Sequence, residues 1–171
     1  MNTTDEVVAD AVRVAQNAGH VHEGDTIVLT AGMVGGIRNA TNLMMVRAIE
    51  RVVARGIGLG QREVAGKVVR IRLPLNGELP LVGPQDILFA DRIDRSCLPL
   101  LQRAGGLITS ETGLDSLGAV LAMELGLPAI IGIDGHVEEL VDGAPVVMNT
   151  TNGLVSQWKK SMPITRNDDR R

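Results

Sequence analysis

Residues 107–134 contain the signals of a strand, a polar loop, a helix and a second strand in direct succession. Residues 107–108 predict a short buried strand, and residues 109–115 form a polar stretch that cannot continue it. Residues 129–133 are continuously apolar and bounded by turn residues, which is typical of a strand covered on both faces. This succession predicts a mixed α/β fold.

The helix between these two strands has a clear start and a clear end. Asp115 or Ser116 can cap its first backbone N–H groups. Gly126 suits a left-handed residue just past the helix, and Pro128 prevents its continuation. Its predicted apolar stripe consists of Leu117, Val120, Leu121 and Leu125. The polar loop therefore lies at the positive end of a helix dipole, where a phosphate is stabilised.

The same residues resemble a known family. Residues 124–132, Glu-Leu-Gly-Leu-Pro-Ala-Ile-Ile-Gly, with Thr109, Gly113 and Ala119 before them, resemble the mobile phosphohistidine domain of phosphoenolpyruvate-utilising enzymes. That family includes pyruvate phosphate dikinase, phosphoenolpyruvate synthase and enzyme I of the sugar phosphotransferase system. The resemblance implies a swivelling β/β/α domain that carries phosphate on a histidine.

The resemblance fails at the residue that carries the chemistry. In the family the helix begins with Thr-Ser/Cys-His-Ala, and the histidine accepts the phosphate. Here Ser116 matches the residue before the histidine, and Gly118-Ala119 match the small pair after it. Leu117 stands in the histidine position. The resemblance therefore implies a phosphohistidine-type domain without its acceptor.

The first fifty residues predict a helix, a strand, a loop and a second strand. A helix is predicted over residues 3–18, with Thr3 and Glu6 as a capping box. A buried strand over residues 26–31 precedes a glycine-rich loop over residues 32–41, and an apolar stretch follows at residues 43–46. The predicted apolar face of the helix consists of Val7, Ala11, Val14 and Ala18.

The glycine-rich loop is a weak phosphate-binding signal by itself. It lacks the Gly-Lys-Ser/Thr ending of a P-loop, which argues against nucleotide hydrolysis. Residues 24–32 and 41–46, however, resemble the end of the pyruvate kinase C-terminal domain. There this loop helps to form the pocket for an activating sugar phosphate. The resemblance implies Arg38 as the charged contact, and the full candidate set is Thr30, Gly32, Gly35, Gly36, Arg38 and Thr41.

Residues 54–67 resemble the junction at which some bacterial pyruvate kinases join an extra phosphohistidine-type domain. Residues 48–55 are predicted to be helical, so Gly56–Gly60 lacks the preceding strand of a dinucleotide-binding fingerprint. The predicted domains are residues 1–55, a pyruvate kinase C-terminal-domain segment; residues 56–158, a mobile-type domain; and residues 159–171, a flexible tail.

Further elements are predicted after the junction. Val69, Ile71 and Leu73 alternate with Val68, Arg70 and Arg72, which predicts a strand with one solvent-exposed face. Ser96 is predicted to cap a helix that contains Pro99. A strand at residues 86–90, a short helix at residues 137–141, and strands at residues 146–148 and 154–155 around the Asn152-Gly153 turn complete the pattern.

Composition excludes several classes of function. Aromatic residues make up 1% of the chain and the formal net charge is −3, which argues against nucleic-acid or anionic-membrane binding. The single cysteine, Cys97, excludes an internal disulfide and a multi-thiolate metal site. No apolar run is long enough to span a bilayer, and these features fit a cytoplasmic protein.

Three functions are compatible with these observations. The first is a non-catalytic regulatory or structural module of pyruvate kinase type, partnered by the catalytic part of that enzyme or by a second copy. The second is a phosphocarrier with an unusual acceptor, and the third is a stand-alone interaction module. No cofactor is expected in this chain, since the resemblance implies Mg²⁺ and K⁺ only in the catalytic part of full-length relatives. Whether the chain is an enzyme is left open. The polar loop residues of interest are Thr109, Glu111, Thr112, Gly113 and Ser116.

Overall fold

The computed structural model describes residues 4–31 and 43–158. These residues separate into two compact units, the first ending at Glu50 and the second running from Arg51 to Trp158.

The first unit consists of one helix and a two-stranded ribbon. Helix α1 spans Thr4–Asn17, strand β1 Thr26–Ala31 and strand β2 Leu43–Ala48. The two strands pair antiparallel. The predicted helix and both strands are therefore confirmed, but the burial predicted for residues 26–31 is wrong, since Val28 is 58% exposed and Thr26 and Thr30 are also exposed. The predicted cap Thr3 and the loop at residues 32–41 lie outside the described residues.

The predicted buried face of α1 is wrong. Val7 and Val14 are 56% and 63% exposed, and Ala11 is exposed between them. Among the α1 side chains of residues 6–17, whose burial is described, Val8 is the buried one, one position further along. Small and β-branched residues occur all round this helix, so their spacing alone could not identify the packed face.

The second unit is a closed barrel of seven strands in the spatial order β3-β7-β6-β5-β4-β8-β9. The barrel strands span Val52–Leu59 (β3), Glu63–Ile71 (β4), Ile87–Ala90 (β5), Gly106–Thr109 (β6), Ala129–Gly135 (β7), Pro145–Asn149 (β8) and Leu154–Gln157 (β9). Strands β4 to β7 pair in parallel in the order β4-β5-β6-β7, and the remaining pairs are antiparallel.

Short helical segments connect the barrel strands. Helix α2 spans Leu98–Leu101 and helix α3 Leu117–Leu125. Two 3-10 segments cover Arg95–Cys97 and Val137–Glu139, so the helix predicted at residues 137–141 is a single turn. The predicted strands at residues 86–90, 107–108, 129–133, 146–148 and 154–155 are confirmed.

Two hydrophobic clusters hold the barrel together. In β5, Ile87 and Phe89 belong to the cluster that fills the interior of the barrel, to which strands on all sides contribute. Leu88 and Ala90 point the other way and pack with residues of α2 and α3. All four residues are at most 1% exposed. Burying such side chains stabilises a fold by about 1.5–3 kcal/mol each, so this strand anchors both layers.

The last part of strand β4, residues 68–71, is covered on both faces, contrary to the prediction of one exposed face, whereas Glu63, Ala65 and Lys67 before it are exposed. Val68 is 1% exposed and lies in the interior cluster. Val69 and Ile71 pack in the outer cluster beneath the helices. Arg70 is half-buried, with its guanidinium over the ring of Phe89 at 5.0 Å. The aliphatic stem of an arginine can cover a core in this way, which its charge conceals in the sequence.

The helix predicted at residues 48–55 is wrong, because β2 continues to Ala48 and β3 begins at Val52. Val53 and Ala54 are at most 2% exposed, and the gain from placing them in the barrel outweighs the helical tendency of their neighbours. Strand β3 runs through the predicted junction at residues 55–56, so the second unit begins at Arg51.

The glycines at residues 56–60 allow close packing between strands. A Cβ at Gly58 would lie 1.8 Å from the carbonyl oxygen of Thr150, and one at Gly56 would lie 2.5 Å from that of Ile131. Neither position tolerates a side chain without a shift of backbone. Close packing between strands therefore explains this glycine-rich motif, and a bound dinucleotide is not needed to explain it.

The predicted cap of the segment around Pro99 is also corrected. Asp94, and not Ser96, caps the 3-10 turn Arg95–Cys97 that leads into α2, and its carboxylate accepts a hydrogen bond from the Ser96 N–H at 2.8 Å. The Ser96 hydroxyl donates to the same oxygen. Helix α2, which contains Pro99, follows Cys97 and has no side-chain cap.

The predicted mixed α/β content is confirmed. A search of the described residues for a helix with the length and hydropathy of a membrane span finds none.

Candidate functional site

The start of α3 lies at the carboxyl ends of the four parallel strands. Ile71, Ala90, Thr109 and Ile131 are level with one another in β4, β5, β6 and β7. Residues 110–116 leave β6 at this edge and lead into α3. Ligands of sheets with parallel strands bind outside the carboxyl ends, so this edge is the candidate site.

The predicted caps of α3 are confirmed. The Ser116 side chain accepts a hydrogen bond from the Ala119 N–H at 3.3 Å. Gly126 follows the helix in the left-handed conformation with φ of 62°. Sequence reasoning therefore placed both ends of this helix correctly.

Glu111, one of the polar loop residues named from the sequence, supplies a second cap. Its Oε2 accepts a hydrogen bond from the Gly118 N–H at 3.1 Å. Its backbone N–H donates to Thr109 Oγ1 at 3.2 Å, and its carbonyl accepts from the Gly132 N–H at 2.7 Å. These backbone bonds hold the carboxylate at the positive end of α3, where a negative charge is stabilised.

Gly118 makes this approach possible. A Cβ at this position would lie 2.8 Å from Glu111 Oε2 and 3.2 Å from Ile93 Cγ1. Any larger residue would therefore compete with the carboxylate for the same space.

The predicted apolar stripe of α3 is wrong in part, since of its four residues Leu121 does pack against the outer hydrophobic cluster. The fully buried residues of α3 are Gly118, Ala119 and Ala122. Leu117 is half-buried and belongs to neither hydrophobic cluster, and Leu125 is 38% exposed. Small residues let the helix lie close to the barrel, so the larger leucines are displaced to its margins.

The remaining predicted loop residues support the turn. Gly113 has φ of +91° and its carbonyl accepts from the Ser116 N–H at 3.2 Å. Thr109 is not a loop residue but the last residue of β6, with no exposed surface. Thr112 is exposed, and a Cβ at Gly132 would lie 3.4 Å from its methyl carbon.

A polar group that the sequence analysis missed lies at the same edge. Arg70 Nη2 is 3.8 Å from Asp91 Oδ2, and the Ser110 hydroxyl is 3.5 Å from Asp91 Oδ1. These residues come from the ends of β4, β5 and β6, which are far apart in sequence. Parallel register brings them together, and a sequence without pairing information cannot show this.

The candidate effector residues belong to the other unit. Thr30 is exposed on β1. Gly32, Gly35, Gly36, Arg38 and Thr41 lie outside the described residues. Since five of these six residues lie outside the described ranges, the structure does not show whether they form a site.

None of the histidines shares a described hydrogen bond with the start of α3. His20 and His22 follow α1 in the first unit, and both are exposed. The imidazole of His136 is exposed after β7, with Nδ1 3.2 Å from Glu138 Oε1. The pKa of Glu138 lies below its usual range, first because of a backbone hydrogen bond and then because of His136.

Two other features bear on the chemistry of the second unit. The Cys97 thiol is buried, and burial raises its pKa, which indicates a structural thiol rather than a nucleophile. A cavity of about 260 Å³ lies at the opposite end of α3, against Met123, Gly126 and Leu127. No cluster of metal-ligating side chains occurs in the described ranges.

Comparisons with known proteins agree with this division of the chain. Residues 1–47 match the family model "Pyruvate kinase, alpha/beta domain", and residues 82–153 match "PEP-utilising enzyme, mobile domain". Pyruvate kinase of Geobacillus stearothermophilus is 34% identical over 162 residues, covering 95% of this chain and 27% of the relative. Pyruvate kinase of Staphylococcus haemolyticus is 33% identical over 156 residues, covering 90% of this chain and 26% of the relative.

Similarity to solved structures is weaker. Thermococcus kodakaraensis aconitase X (holo-form) has a TM-score of 0.48 at 20% identity, covering 62% of this chain and 98% of that chain. An enzyme I structure has a TM-score of 0.37 at 24% identity, covering 44% of this chain and 32% of that chain.

The chain spans about a quarter of the length of the curated relatives it matches. The recognition made from its motifs is confirmed by the two family models and by these relatives. The chain resembles the C-terminal part of bacterial pyruvate kinases, an α/β-domain segment joined to a phosphoenolpyruvate-utilising-enzyme mobile domain.

Proposed function

We propose that this chain is a non-catalytic regulatory or structural module of pyruvate kinase type, whose swivelling β/β/α domain has lost its phosphohistidine. Leu117 is the first residue of α3, directly between the cap Ser116 and Gly118. In the family this position supplies the imidazole nitrogen that attacks phosphorus. A leucine side chain has no lone pair and cannot form that bond.

The observation that carries the proposal is that N–H groups in the first turn of α3 already have hydrogen-bond acceptors within the chain. The Gly118 and Ala119 N–H groups donate to Glu111 and Ser116 of the same chain. A phosphate entering here would have to displace a carboxylate and overcome its negative charge. Such charge-assisted hydrogen bonds are worth about 1.5–3 kcal/mol. Both the acceptor and the place for a bound phosphate are therefore lost.

The other groups near this edge do not replace the histidine. Asp91 interacts with Arg70 and Ser110, and an acyl phosphate on a carboxylate usually requires a Mg²⁺ site. No metal-ligating cluster is found in the part of the chain that the structure describes. We further propose that the module acts in the cytoplasm together with the catalytic part of a pyruvate kinase, which would hold Mg²⁺ and K⁺. A sugar phosphate would bind the segment from Thr30 to Thr41.

Two assays test the catalytic part of the proposal. In a lactate dehydrogenase-coupled assay with phosphoenolpyruvate and ADP, the chain alone should form no pyruvate above the rate without protein. Intact mass should not increase after incubation with phosphoenolpyruvate and a phosphotransferase that loads mobile domains. A stoichiometric gain of about 80 Da, the mass expected for one covalent phosphoryl group, would instead support the phosphocarrier alternative.

The variant Leu117→His sharpens this test, with Leu114→His as its control. Leu114 lies in the loop just before α3 and is 58% exposed, so its replacement adds a histidine close to the site but outside the helix. Gain of an acid-labile phosphate in Leu117→His and not in the control would show that residue 117 is a lost acceptor position. Equal labelling of both variants would contradict this assignment.

A further inference from the structure

The cavity at the carboxyl end of α3 lies within the second unit, away from the start of that helix. Its apolar wall consists of Leu59, Ala122, Met123, Leu127 and Pro128. Ala122 is a member of the outer hydrophobic cluster, and Leu59 and Leu127 pack against that cluster. A wall that is anchored in a core keeps its shape, as the walls of ligand pockets usually do.

Two glycines at the cavity leave space beside them. Gly60 and Gly126 have φ of +98° and +62°, which a residue with a side chain rarely adopts. A Cβ at Gly126 would have no atom within 4 Å, and one at Gly60 would come no closer than 3.7 Å, to Thr150 Oγ1. No neighbouring side chain therefore fills the space next to either glycine.

The polar side chains at the cavity belong to Gln61 and Arg62. The backbone of Arg62 is fixed, because its N–H donates to Thr150 Oγ1 at 2.9 Å and its carbonyl accepts from the Thr150 N–H at 2.9 Å. Thr150 is 2% exposed. The Arg62 side chain thus extends from a rigid bend between β3 and β4 and is itself exposed.

The positive charge of Arg62 is not neutralised by a described partner. Among residues 4–31 and 43–158, no ion pair involves its guanidinium. The carboxylate of the next residue, Glu63, accepts a hydrogen bond from Asn149 Nδ2 at 3.2 Å. An arginine side chain only donates hydrogen bonds, so Arg62 offers this cavity a free binding group for an anion.

The end of α3 does not offer the cavity an equivalent group for a cation. The Gly126 N–H donates to the Ala122 and Met123 carbonyls. The Leu127 N–H donates to the Ala122 carbonyl as well, at 2.9 Å. The chain therefore already provides donors for these carbonyls at the negative end of the helix.

We propose that this cavity binds a small monocarboxylate with a compact apolar body, whose carboxylate pairs with Arg62 and whose hydrocarbon part packs against Leu59 and Leu127. Arginine can hold a carboxylate through two parallel hydrogen bonds. The cavity volume of about 260 Å³ lies just below the range of about 300–1,000 Å³ that is usual for drug-sized ligands. The site therefore suits a small organic acid and is too small for a nucleotide. This inference goes beyond the proposed function and does not depend on residue 117.

The test titrates the full, ¹⁵N-labelled chain with sodium hexanoate and follows the backbone amide shifts by NMR. Hexanoate has about eight non-hydrogen atoms, and a ligand of this size should bind with a Kd on the order of 1 mM. Saturable shifts should be concentrated in residues 59–62 and 122–128. 1-Hexanol and hexylammonium, which have the same hydrocarbon chain without the carboxylate, should bind at least about threefold more weakly.

Arg62→Met tests the charged contact, because it keeps much of the side-chain length and removes the guanidinium. It should weaken hexanoate binding at least about threefold, as expected for an exposed ion pair, and Arg62→Lys should weaken it less because the charge remains. Arg92→Met is the matched control and should leave the Kd unchanged. Arg92 is exposed, follows β5 at the opposite edge of the barrel and takes part in no ion pair of the described residues.

A second pair of variants tests the apolar wall. Met123 and Leu125 lie in the last turn of α3 and are 52% and 38% exposed, but Met123 alone of the two lines the cavity. Met123→Glu should weaken hexanoate binding at least about threefold, because it adds a negative charge beside the bound carboxylate. The same change at Leu125 should alter the Kd by less than about twofold, since solvent screens the charge.

Four results would overturn the proposal. Shifts that do not saturate, or that lie outside these two segments, would show that the cavity does not bind the probe. Equal affinity for hexanoate and 1-hexanol would show an apolar cavity without selectivity for a carboxylate, and tighter binding of hexylammonium would assign the site to a cation. An unchanged Kd in Arg62→Met would place the carboxylate elsewhere. The pyruvate and phosphate assays concern the start of α3, so their failure is distinguishable from failure of this inference.

Discussion

At the scale of single residues, the barrel depends on positions where no side chain fits. A Cβ at Gly58 would meet the Thr150 carbonyl oxygen at 1.8 Å, and that atom is backbone and cannot rotate away. Gly58 has no positive φ, so the requirement is steric and independent of backbone conformation. The sequence motif that contains it is therefore explained by packing.

We expect Gly58→Ala to lower the free energy of unfolding by at least about 2 kcal/mol, the cost of overpacking a tight contact. Gly83→Ala is the control, because a Cβ there would lie 3.3 Å from the Asp86 carboxylate, the end of a flexible side chain. Urea denaturation followed by circular dichroism measures both variants. Equal stability of the two would contradict the steric argument.

Asp94 gives a residue-scale prediction about pH. The Ser96 side chain donates to its carboxylate and is the largest cause that holds the Asp94 pKa below the ordinary value of 3.8. A carboxyl whose pKa is lowered on folding stabilises the folded state above the unfolded pKa and loses that effect as pH falls through the folded pKa. The stability difference between wild type and Asp94→Asn should thus be constant above about pH 5 and shrink below pH 3.8.

Ser96→Ala separates the hydrogen bond from the charge. It keeps the carboxylate but removes the hydroxyl donor, so the pKa of Asp94 should rise towards its ordinary value. Carboxyl carbon shifts in an NMR titration report this pKa directly. An unchanged pKa in Ser96→Ala would show that the hydroxyl is not its main cause.

At the scale of elements, α3 is capped twice by the loop before it. Ser116→Ala should cost about 1 kcal/mol, and Glu111→Ala about 1–2 kcal/mol because its bond to the Gly118 N–H is charge-assisted. Ser110→Ala is the control, since its hydroxyl makes a 3.5 Å contact, and it should change stability by less than about 0.5 kcal/mol. Thermal unfolding compares the three variants. If Glu111→Ala matched the control, Glu111 would not be a cap.

The elements also show what a sequence can and cannot predict. The ends of α3 were predictable because capping and the left-handed glycine act through neighbouring residues. The strand at residues 52–59 was missed because the charged residues around it suggested a helix. Its strand conformation is set by pairing and burial in the barrel, which the local sequence does not show. The apolar face of α1 was misassigned because valine and alanine occur on several sides of that helix. The face of α3 was misassigned in part because this helix packs closely through Gly118, Ala119 and Ala122, which carry little hydrophobic signal.

The candidate site shows the same contrast between features set by neighbouring residues and features set by tertiary contacts. Ser116 and Gly113 were predicted from local turn and capping signals, and the structure confirms their local roles. The capping role of Glu111, and the approach of Arg70 to Asp91, depend on a bond seven residues along the chain and on parallel pairing. The approach of Arg70 to Asp91 has no signature in a single sequence, because it depends on which strands are neighbours.

At the scale of the whole molecule, the two units differ in how much hydrophobic core their described residues contain. Residues 51–158 contain both hydrophobic clusters and a closed barrel. We expect this segment, expressed alone, to fold with the same urea midpoint as in the full chain, within about 0.3 M, because a domain with its own core is stable without its neighbour. Trp158 fluorescence and circular dichroism measure the midpoint. An insoluble segment, or one with a much lower midpoint, would show that the barrel needs the first unit.

The pairing of the first and last barrel strands has a consequence for how such a domain is inherited. Val52 of β3 is opposite Ser156 of β9, and the Gln157 N–H donates to the Arg51 carbonyl at 2.9 Å. The polypeptide thus enters and leaves the barrel at neighbouring points. A domain with this geometry can be spliced into a host protein, or removed from it, while its own strands keep their pairing. Recombination between genes can therefore move it as one cassette.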